Sequence, residues 1–158
     1  MADHYYTREP ESTSRPAACS FTYRGHVLTF MTDAGVFSRG ELDEGTRLLL
    51  EALPEKLRGE VLDLGCGWGA IGISVKAAWP EMKVTMADVN LRALDWSRKN
   101  AERNQVDVEC LESDGLAALK ERRFDAILTN PPIRAGKQVI YGMFADAAAC
   151  LHPGGALY

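Results

Sequence analysis

The sequence VLDLGCGWG, residues 61–69, decides the fold, because a short apolar strand runs directly into a glycine-rich turn. Glycines at the start of a helix let the backbone pass close to a ligand. The turn therefore predicts a nucleotide-like cofactor site that includes Gly65, Cys66, Gly67 and Gly69. The alternative interpretation is a turn that needs its glycines only for tight packing.

The acid inside this stretch indicates which cofactor is bound. Residues 67–72 also fit the GxGxxG pattern of dinucleotide-binding folds, which is weak by itself. Asp63, however, lies where a dinucleotide would place its pyrophosphate, and a carboxylate there repels phosphate. It attracts the ammonium and sulfonium groups of S-adenosylmethionine. The sequence therefore favours the methyl donor, and a nicotinamide dinucleotide is the weaker alternative.

Two further acids follow the next two predicted strands. Asp88, with Val89 beside it, comes nineteen residues after the last glycine of the turn, a spacing suited to the ribose hydroxyls. The alternative role is helix capping, which Asn90 can perform, so we expect Asp88 to be free for the ligand. Asp114 and Gly115 are predicted to lie beside adenine, although an Asp-Gly turn is the plainer interpretation.

The loop after the fourth predicted strand carries the chemistry. Asn130, Pro131, Pro132 and Ile133 form an NPPI loop at the edge of the sheet where parallel folds bind their ligands. The prolines hold the backbone extended, so the Asn130 side-chain oxygen and the Pro131 carbonyl are predicted to accept both hydrogens of a planar amino group. Such positioning favours methyl transfer to nitrogen without a protein nucleophile. The alternative is that the prolines merely end the strand.

The rest of the chain predicts one α/β domain. Residues 1–16 are a polar tail or strap, and residues 17–158 form the domain, with an N-terminal β-hairpin at 18–32 and a cofactor-binding core at 43–158. Asp43 is a predicted N-cap for the first helix. Strands and helices then alternate, which predicts a doubly wound parallel sheet with helices on both faces. The predicted strands are 61–64, 84–87, 106–110 and 124–128, and the predicted helices are 70–78, 91–103, 116–121 and 143–151.

Composition limits the partners. The net charge of −4 does not support a generic basic surface for nucleic acid, so an RNA contact would need a local patch. The four cysteines show no paired CxxC spacing and predict reduced thiols without a metal. No apolar stretch approaches the roughly 20 residues that cross a bilayer, and the N-terminus lacks a secretory signal. We therefore expect a cytoplasmic protein.

The motifs DLGCGWG and TNPPIRAGK, together with Asp88, resemble the small-domain methyltransferase family, which includes ribosomal small-subunit RNA guanine exocyclic-amine methyltransferases. The segments GVFS at 35–38 and LDEGT at 42–46 are similar to the family's upstream region. The resemblance implies a Rossmann-like class I fold, S-adenosylmethionine as cofactor and ribosomal RNA as substrate. It further implies that Phe37, Gly45 and Thr46 line the methionine end of the cofactor site, beside Asn130.

Two departures from the family keep other functions open. Ile133 stands where related enzymes often carry a Tyr or Phe that stacks on the target. The chain also stops near the fifth strand, so we expect that the family's last strands are missing and that the domain is truncated. The alternatives are methylation of a protein glutamine amide, a cofactor-binding fragment without turnover and, as the weakest, a dehydrogenase.

Overall fold

The N-terminal part of the domain is the predicted β-hairpin. The computed structural model describes residues 13–34, 40–131 and 136–158. Strands β1 (Ala17–Tyr23) and β2 (His26–Thr32) pair antiparallel. The two turn residues, Arg24 and Gly25, both have positive φ angles, 46° and 82°. This is the backbone of a tight two-residue hairpin turn, so the hairpin prediction is confirmed.

A five-stranded parallel sheet forms the core of the domain, in the order β5-β4-β3-β6-β7. The order reverses at β3, which pairs with both β4 and β6. The carboxyl ends of strands at such a switch point form the crevice in which open α/β sheets bind ligands. The elements are β3 (Glu60–Leu64), β4 (Lys83–Asp88), β5 (Glu109–Glu112), β6 (Phe124–Thr129), β7 (Leu151–Leu157), α1 (Glu44–Ala52), α2 (Ala70–Ala78), α3 (Leu91–Arg103) and α4 (Lys137–Ala149).

Apolar side chains cover both faces of the sheet. Val61 of β3 packs in one core cluster with residues of α1, α2, α3 and the hairpin. Leu62, its neighbour in the strand, packs in a second cluster that contains Ala147 of α4. Adjacent residues of a strand point to opposite faces, so the two clusters lie on opposite sides of the sheet. The predicted doubly wound architecture with helices on both faces is confirmed.

Several predicted segments differ from the structure. The predicted helix 143–151 ends at Ala149, and Leu151 already belongs to β7. Residues 116–121 form successive turns and no helix, with Leu116 and Leu119 buried in the second cluster. The backbone hydrogen bonds of this segment join residues three apart, as in isolated turns, for example from Leu119 N–H to the Leu116 carbonyl. Gly115, just before this segment, has a φ of 55°, which is not helical. Helix α4 begins at Lys137, six residues before the predicted start, and β5 begins at Glu109 because its ladder with β4 starts there.

The tail prediction falls mainly on residues 1–12, which lie outside the described residues. The described residues 13–16 are exposed and are held by Asp33. The Ser14 hydroxyl and the Arg15 backbone N–H donate to its carboxylate, as does the indole N–H of Trp96. Helix α3 therefore anchors the chain that leads into β1.

Two asparagines fix the hairpin to α3. Asn100 accepts from the N–H of Met31 at 2.8 Å and donates to the Met31 carbonyl at 2.9 Å, and Asn104 pairs in the same way with Thr29. The side-chain amides thus take the place of a neighbouring strand. Asn100 also donates to the carbonyl of Trp68 in the glycine turn, at 2.7 Å. It therefore links the hairpin to the site.

We expect Asn100→Ala to lower the free energy of unfolding by about 2–3 kcal/mol, because the part-buried backbone groups of Met31 and the buried carbonyl of Trp68 lose their partners. Asn104→Ala is the matched control, since it removes the same pairing from an exposed position, and we expect about 1 kcal/mol or less. Urea denaturation of both variants measures the difference. Equal losses would contradict the buried link to the glycine turn.

Candidate active site

A cavity of about 650 Å³ opens at the carboxyl ends of the central strands. Its walls come from the glycine turn after β3, the ends of β4 and β6, the turn after β5, the first turn of α1 and one side of α4. Most of the predicted site residues therefore meet in one place. Those that line the cavity are Thr46, Gly65, Cys66, Gly67, Asp88, Val89, Asp114, Gly115, Asn130 and Pro131.

Five predicted residues are not among those lining the cavity. Phe37, Pro132 and Ile133 lie outside the described residues. Gly69 precedes α2 at a φ of 102°, which residues with a Cβ rarely adopt, and a Cβ there would lie 2.7 Å from Ile73 Cδ1. Asp63 lies behind the cavity. Roles for these residues in binding stay predictions.

The glycine turn is held by hydrogen bonds to the end of β4. The N–H groups of Gly65 and Cys66 both donate to the carbonyl of Ala87, at 2.8 and 3.0 Å. Gly65 and Gly67 adopt φ angles of 73° and 57°, which residues with a Cβ rarely adopt. The turn therefore needs glycine for its backbone conformation as well as for close approach of a ligand.

Asp88 joins the turn to the start of α3. One carboxylate oxygen accepts from the N–H of Gly67 and the other from the N–H of Asn90, both at 2.9 Å. Burial raises the pKa of the Asp88 carboxyl, and these backbone hydrogen bonds partly oppose the increase. Asn90 caps α3 as predicted, by accepting from Ala93 N–H. The expectation that Asp88 would be free is wrong, because its carboxylate also braces the turn.

A ligand contact by Asp88 nevertheless fits this arrangement. A carboxylate has about four acceptor positions, and the backbone N–H groups of Gly67, Val89 and Asn90 do not fill all of them. The side chain borders the cavity beside Val89 and Asn90. The predicted contact with ribose hydroxyls therefore stays a prediction with suitable geometry.

Asp63 is fully buried under the glycine turn. One oxygen accepts from the N–H of Gly72 at 2.9 Å, and the other has no hydrogen-bond partner among the described residues. Burial raises the pKa of this carboxyl to about 7, against the lowering effect of the Gly72 N–H, and the nearby charge of Asp88 raises it further. The protonated form of Asp63 therefore predominates below about pH 7, and its buried carboxyl is not the exposed charge that the sequence predicts.

This raised pKa predicts a pH-dependent stability. A carboxyl whose pKa is higher in the folded than in the unfolded chain contributes stability that is complete below about pH 4 and is lost as the pH rises through about 7. We expect Asp63→Asn to remove this dependence. Between pH 4 and pH 8, the free energy of unfolding of the variant should rise by on the order of 4 kcal/mol relative to that of wild type.

Urea denaturation at several pH values measures this gain. Asp95→Asn is the control, because Asp95 is an exposed acid of α3 whose side chain is 61% accessible. Parallel pH profiles for wild type and Asp63→Asn would contradict a buried, protonated Asp63.

Asn130 follows β6 and is held by the first turn of α1. Its side-chain nitrogen donates to Asp43 Oδ2 at 2.7 Å and to Thr46 Oγ1 at 3.1 Å. Both amide hydrogens are therefore used, and the side-chain oxygen accepts no hydrogen bond from the described residues. Since Asn130 and Pro131 both border the cavity, their oxygens can serve as acceptors for a ligand there.

Sequence reasoning missed two parts of this site. Asp43 is the predicted N-cap of α1, which its acceptance from Thr46 N–H at 3.2 Å confirms, but its contact with Asn130 joins residues 87 positions apart. Residues of α4 also line the cavity, and the polar or small ones recur at every fourth position in an otherwise apolar helix. This stripe is the sequence pattern that could have indicated that α4 borders the site. It consists of Gln138, Gly142 and Asp146, with Val139 and Met143 beside them.

The cavity wall is acidic. Asp43, Asp88, Asp114 and Asp146 all line it. Several carboxylates around one cavity favour a ligand with positive charge and disfavour one with phosphate groups.

Among the residues that the structure describes, no cluster of His, Cys, Asp or Glu is arranged to hold a metal ion. Within the same ranges, no helix is long and apolar enough to cross a membrane.

The fold is that of a Rossmann-like class I methyltransferase. Its parallel sheet reverses order at β3, a glycine turn follows β3, an acid ends β4, and the sequence NPP follows β6. The chain belongs to the methyltransferase small domain family, whose family model matches residues 27–158. The family prediction from the sequence is confirmed.

Known relatives agree with this assignment. The uncharacterized protein YbxB of Bacillus subtilis is 40% identical over 161 residues, which cover 100% of this chain and 80% of that protein. Ribosomal RNA small subunit methyltransferase C of Hahella chejuensis is 43% identical over 83% of this chain and 39% of its own length.

A solved structure extends the comparison. The 16S rRNA N2 G1207 methyltransferase of T. thermophilus, in complex with AdoMet and guanosine, superposes with a TM-score of 0.81 at 37% identity. The match covers 94% of this chain and 42% of that one. The chain thus spans about two fifths of the length of the ribosomal RNA methyltransferases it matches.

Proposed function

We propose that this chain transfers a methyl group from S-adenosylmethionine to the exocyclic amine of a guanine in small-subunit ribosomal RNA. The class, an S-adenosylmethionine-dependent methyltransferase, is borne out by the family and by the relatives. The guanine amine as target and the RNA as substrate are what we propose beyond that class.

The cavity suits the methyl donor. Asp88 and Asp114 both border the cavity, and we assign Asp88 to the ribose hydroxyls and Asp114, which is exposed at the turn after β5, to the amine of adenine. When bound, S-adenosylmethionine supplies an electrophilic methyl group on a positively charged sulfur. The acidic wall of the cavity favours that charge, whereas the pyrophosphate of a nicotinamide dinucleotide would be repelled.

The target proposal depends on one observation above all, the fixed amide of Asn130. Its nitrogen is bound by Asp43 and Thr46, which leaves its oxygen as an acceptor in the cavity. The Pro131 carbonyl supplies a second acceptor beside it. A guanine amine has two hydrogens to match these acceptors. Holding both of them orients the nitrogen lone pair toward the methyl group and stabilises positive charge that develops on nitrogen.

An amide nitrogen of protein glutamine is the second candidate target, because it is also planar and carries two hydrogens. RNA is favoured since the Hahella chejuensis relative is named as a ribosomal RNA methyltransferase, and since the T. thermophilus neighbour was solved with guanosine. Arg134 and Lys137 follow the NPPI loop in the sequence and are candidates for phosphate contacts, with a solvated helix start as the alternative. Arg134 lies outside the described residues, and Lys137 is exposed at the start of α4. A ribosomal substrate would also agree with the expected cytoplasmic location.

Methyl transfer to isolated small subunits tests the proposal. Purified protein would be incubated with S-adenosylmethionine carrying a labelled methyl group and with subunits, naked 16S RNA or glutamine-containing ribosomal proteins. Nucleosides and amino acids would then be identified by mass spectrometry. We expect label in N2-methylguanosine. Label in glutamine would replace RNA by protein as the substrate, and binding of the donor without transfer to any target would indicate a non-catalytic domain.

A further inference from the structure

We propose that Asp43 is a positioning residue for methyl transfer, which fixes and polarises the Asn130 amide so that its oxygen faces the substrate amine. This inference rests on the proposed function. The first turn of α1 starts a helix. The proposal gives this turn a second role, in the chemistry at the end of β6.

The orientation of the Asn130 amide follows from its two partners. Asp43 Oδ2 lies 2.7 Å from the amide nitrogen, and Thr46 Oγ1 lies 3.1 Å from it. A carboxylate oxygen only accepts hydrogen bonds, so a flipped amide would bring two acceptor oxygens together at 2.7 Å. That repulsion excludes the flipped state. The oxygen of Asn130 must then face away from Asp43.

Gly45 lets the helix approach the amide this closely. A Cβ at this position would lie 3.0 Å from Asp43 Oδ2, 3.1 Å from Asn130 Oδ1 and 3.2 Å from Asn130 Nδ2. Gly45 is not among the glycines with positive φ, so close contact, and not backbone conformation, favours a glycine here, since a Cβ would displace the Asp43 and Asn130 side chains by a few tenths of an ångström. Asp43, Gly45 and Thr46 therefore form one surface that is complementary to the Asn130 amide.

The charge of Asp43 has a chemical consequence. During transfer, the substrate nitrogen gives its lone pair to the methyl carbon, the electron pair of the broken carbon–sulfur bond stays on sulfur, and a proton is later lost from nitrogen to water. Positive charge therefore develops on nitrogen. A carboxylate that accepts from the amide N–H draws electron density toward the amide oxygen, because hydrogen bonds in a chain polarise one another. The Asn130 oxygen then binds the transition state more strongly than the ground state.

Three variants test the role of Asp43. Asp43→Asn keeps an N-cap and an acceptor oxygen but removes the charge, whereas Asp43→Ser keeps the N-cap and is too short to reach Asn130. Glu44→Gln is the control, because it removes the same charge from the same helical turn at a side chain that is 76% accessible. Single-turnover methyl transfer to small subunits gives the rate constant, and calorimetry gives the affinity for S-adenosylmethionine.

We expect the rate constant to fall by about 10-fold in Asp43→Asn and by about 100-fold in Asp43→Ser. Cofactor affinity should fall by less than about threefold, because three other acids, Asp88, Asp114 and Asp146, still line the cavity. The melting temperature should stay near wild type, and Glu44→Gln should behave as wild type. The double variant Asp43→Ser/Asn130→Ala should be no slower than Asn130→Ala alone, since Asp43 acts through that amide. Multiplicative losses in the double variant, or a wild-type rate in Asp43→Ser, would overturn the proposal.

A spectroscopic measurement separates this inference from the proposed function. The side-chain amide signals of Asn130, identified by their loss in Asn130→Ala, should be protected from hydrogen exchange in wild type and in Glu44→Gln. In Asp43→Ser they should shift and exchange faster. Unchanged signals would overturn the positioning role even if methyl transfer occurs. Absence of transfer in wild type would instead overturn the proposed function.

Discussion

Replacing Asn130 by alanine is expected to slow methyl transfer by on the order of 100- to 1000-fold, the loss typical of removing one preorganised hydrogen-bonding group from a reaction centre. The side chain supplies an acceptor whose orientation is set by Asp43 and Thr46. Without it, one hydrogen of the substrate amine has no partner and the nitrogen is poorly aimed. Affinity for S-adenosylmethionine should change by less than about threefold, since the expected loss lies in transition-state interactions.

Single-turnover assays with labelled donor measure this loss, and calorimetry measures the affinity. Asn104→Ala is the control, because it removes an asparagine amide that contacts β2 and does not border the cavity. A variant that retains more than about a third of the wild-type rate would remove Asn130 from the reaction centre. A joint collapse of melting temperature and affinity would mean that Asn130 is structural.

Replacing Asp88 by alanine is expected to weaken S-adenosylmethionine binding by about 30- to 100-fold, as the loss of charged hydrogen bonds would. The variant loses the predicted acceptor for the ribose hydroxyls and also the bonds that brace Gly67 and Asn90. The affinity of Asp88→Asn for S-adenosylmethionine should lie between those of wild type and Asp88→Ala, because the amide oxygen can keep one of the backbone hydrogen bonds. Calorimetric titration of each variant measures the change.

Asp114→Ala is the matched comparison for Asp88. Asp114 is an exposed acid in the same cavity, so its predicted contact with adenine competes with water, and we expect a loss of about fivefold or less. Wild-type affinity in Asp88→Ala would contradict the ribose contact. An equal loss in both variants would indicate that total charge, and not position, controls binding.

The features that the sequence predicts well are local ones. Asp43 and Asn90 are both N-caps, and each accepts from an N–H three residues later, so their role can be read from neighbouring positions. The hairpin turn at Arg24 and Gly25 and the glycine turn after β3 are encoded in the same local way. The alternation of strands and helices then limits the topology, and the carboxyl ends of the strands place most of the site at one edge.

The features that it does not predict depend on distant contacts. The pairing of Asp43 with Asn130 requires α1 to lie against the end of β6, which no local pattern encodes. No local pattern shows that Asp63 lies wholly inside the core, with Gly72 as its hydrogen-bond donor. The start of α4 was missed because that helix is apolar on several sides and lacks clear amphipathic periodicity.

Calorimetric titration of the purified chain with S-adenosylmethionine and, in parallel, with NADH tests the central claim most directly, because every proposed role depends on the cavity binding the methyl donor. We predict a single site for S-adenosylmethionine and no heat of binding for NADH, with the site weakened in Asp88→Ala. Binding of NADH in place of the methyl donor, or binding of the methyl donor that Asp88→Ala leaves unchanged, would contradict the account.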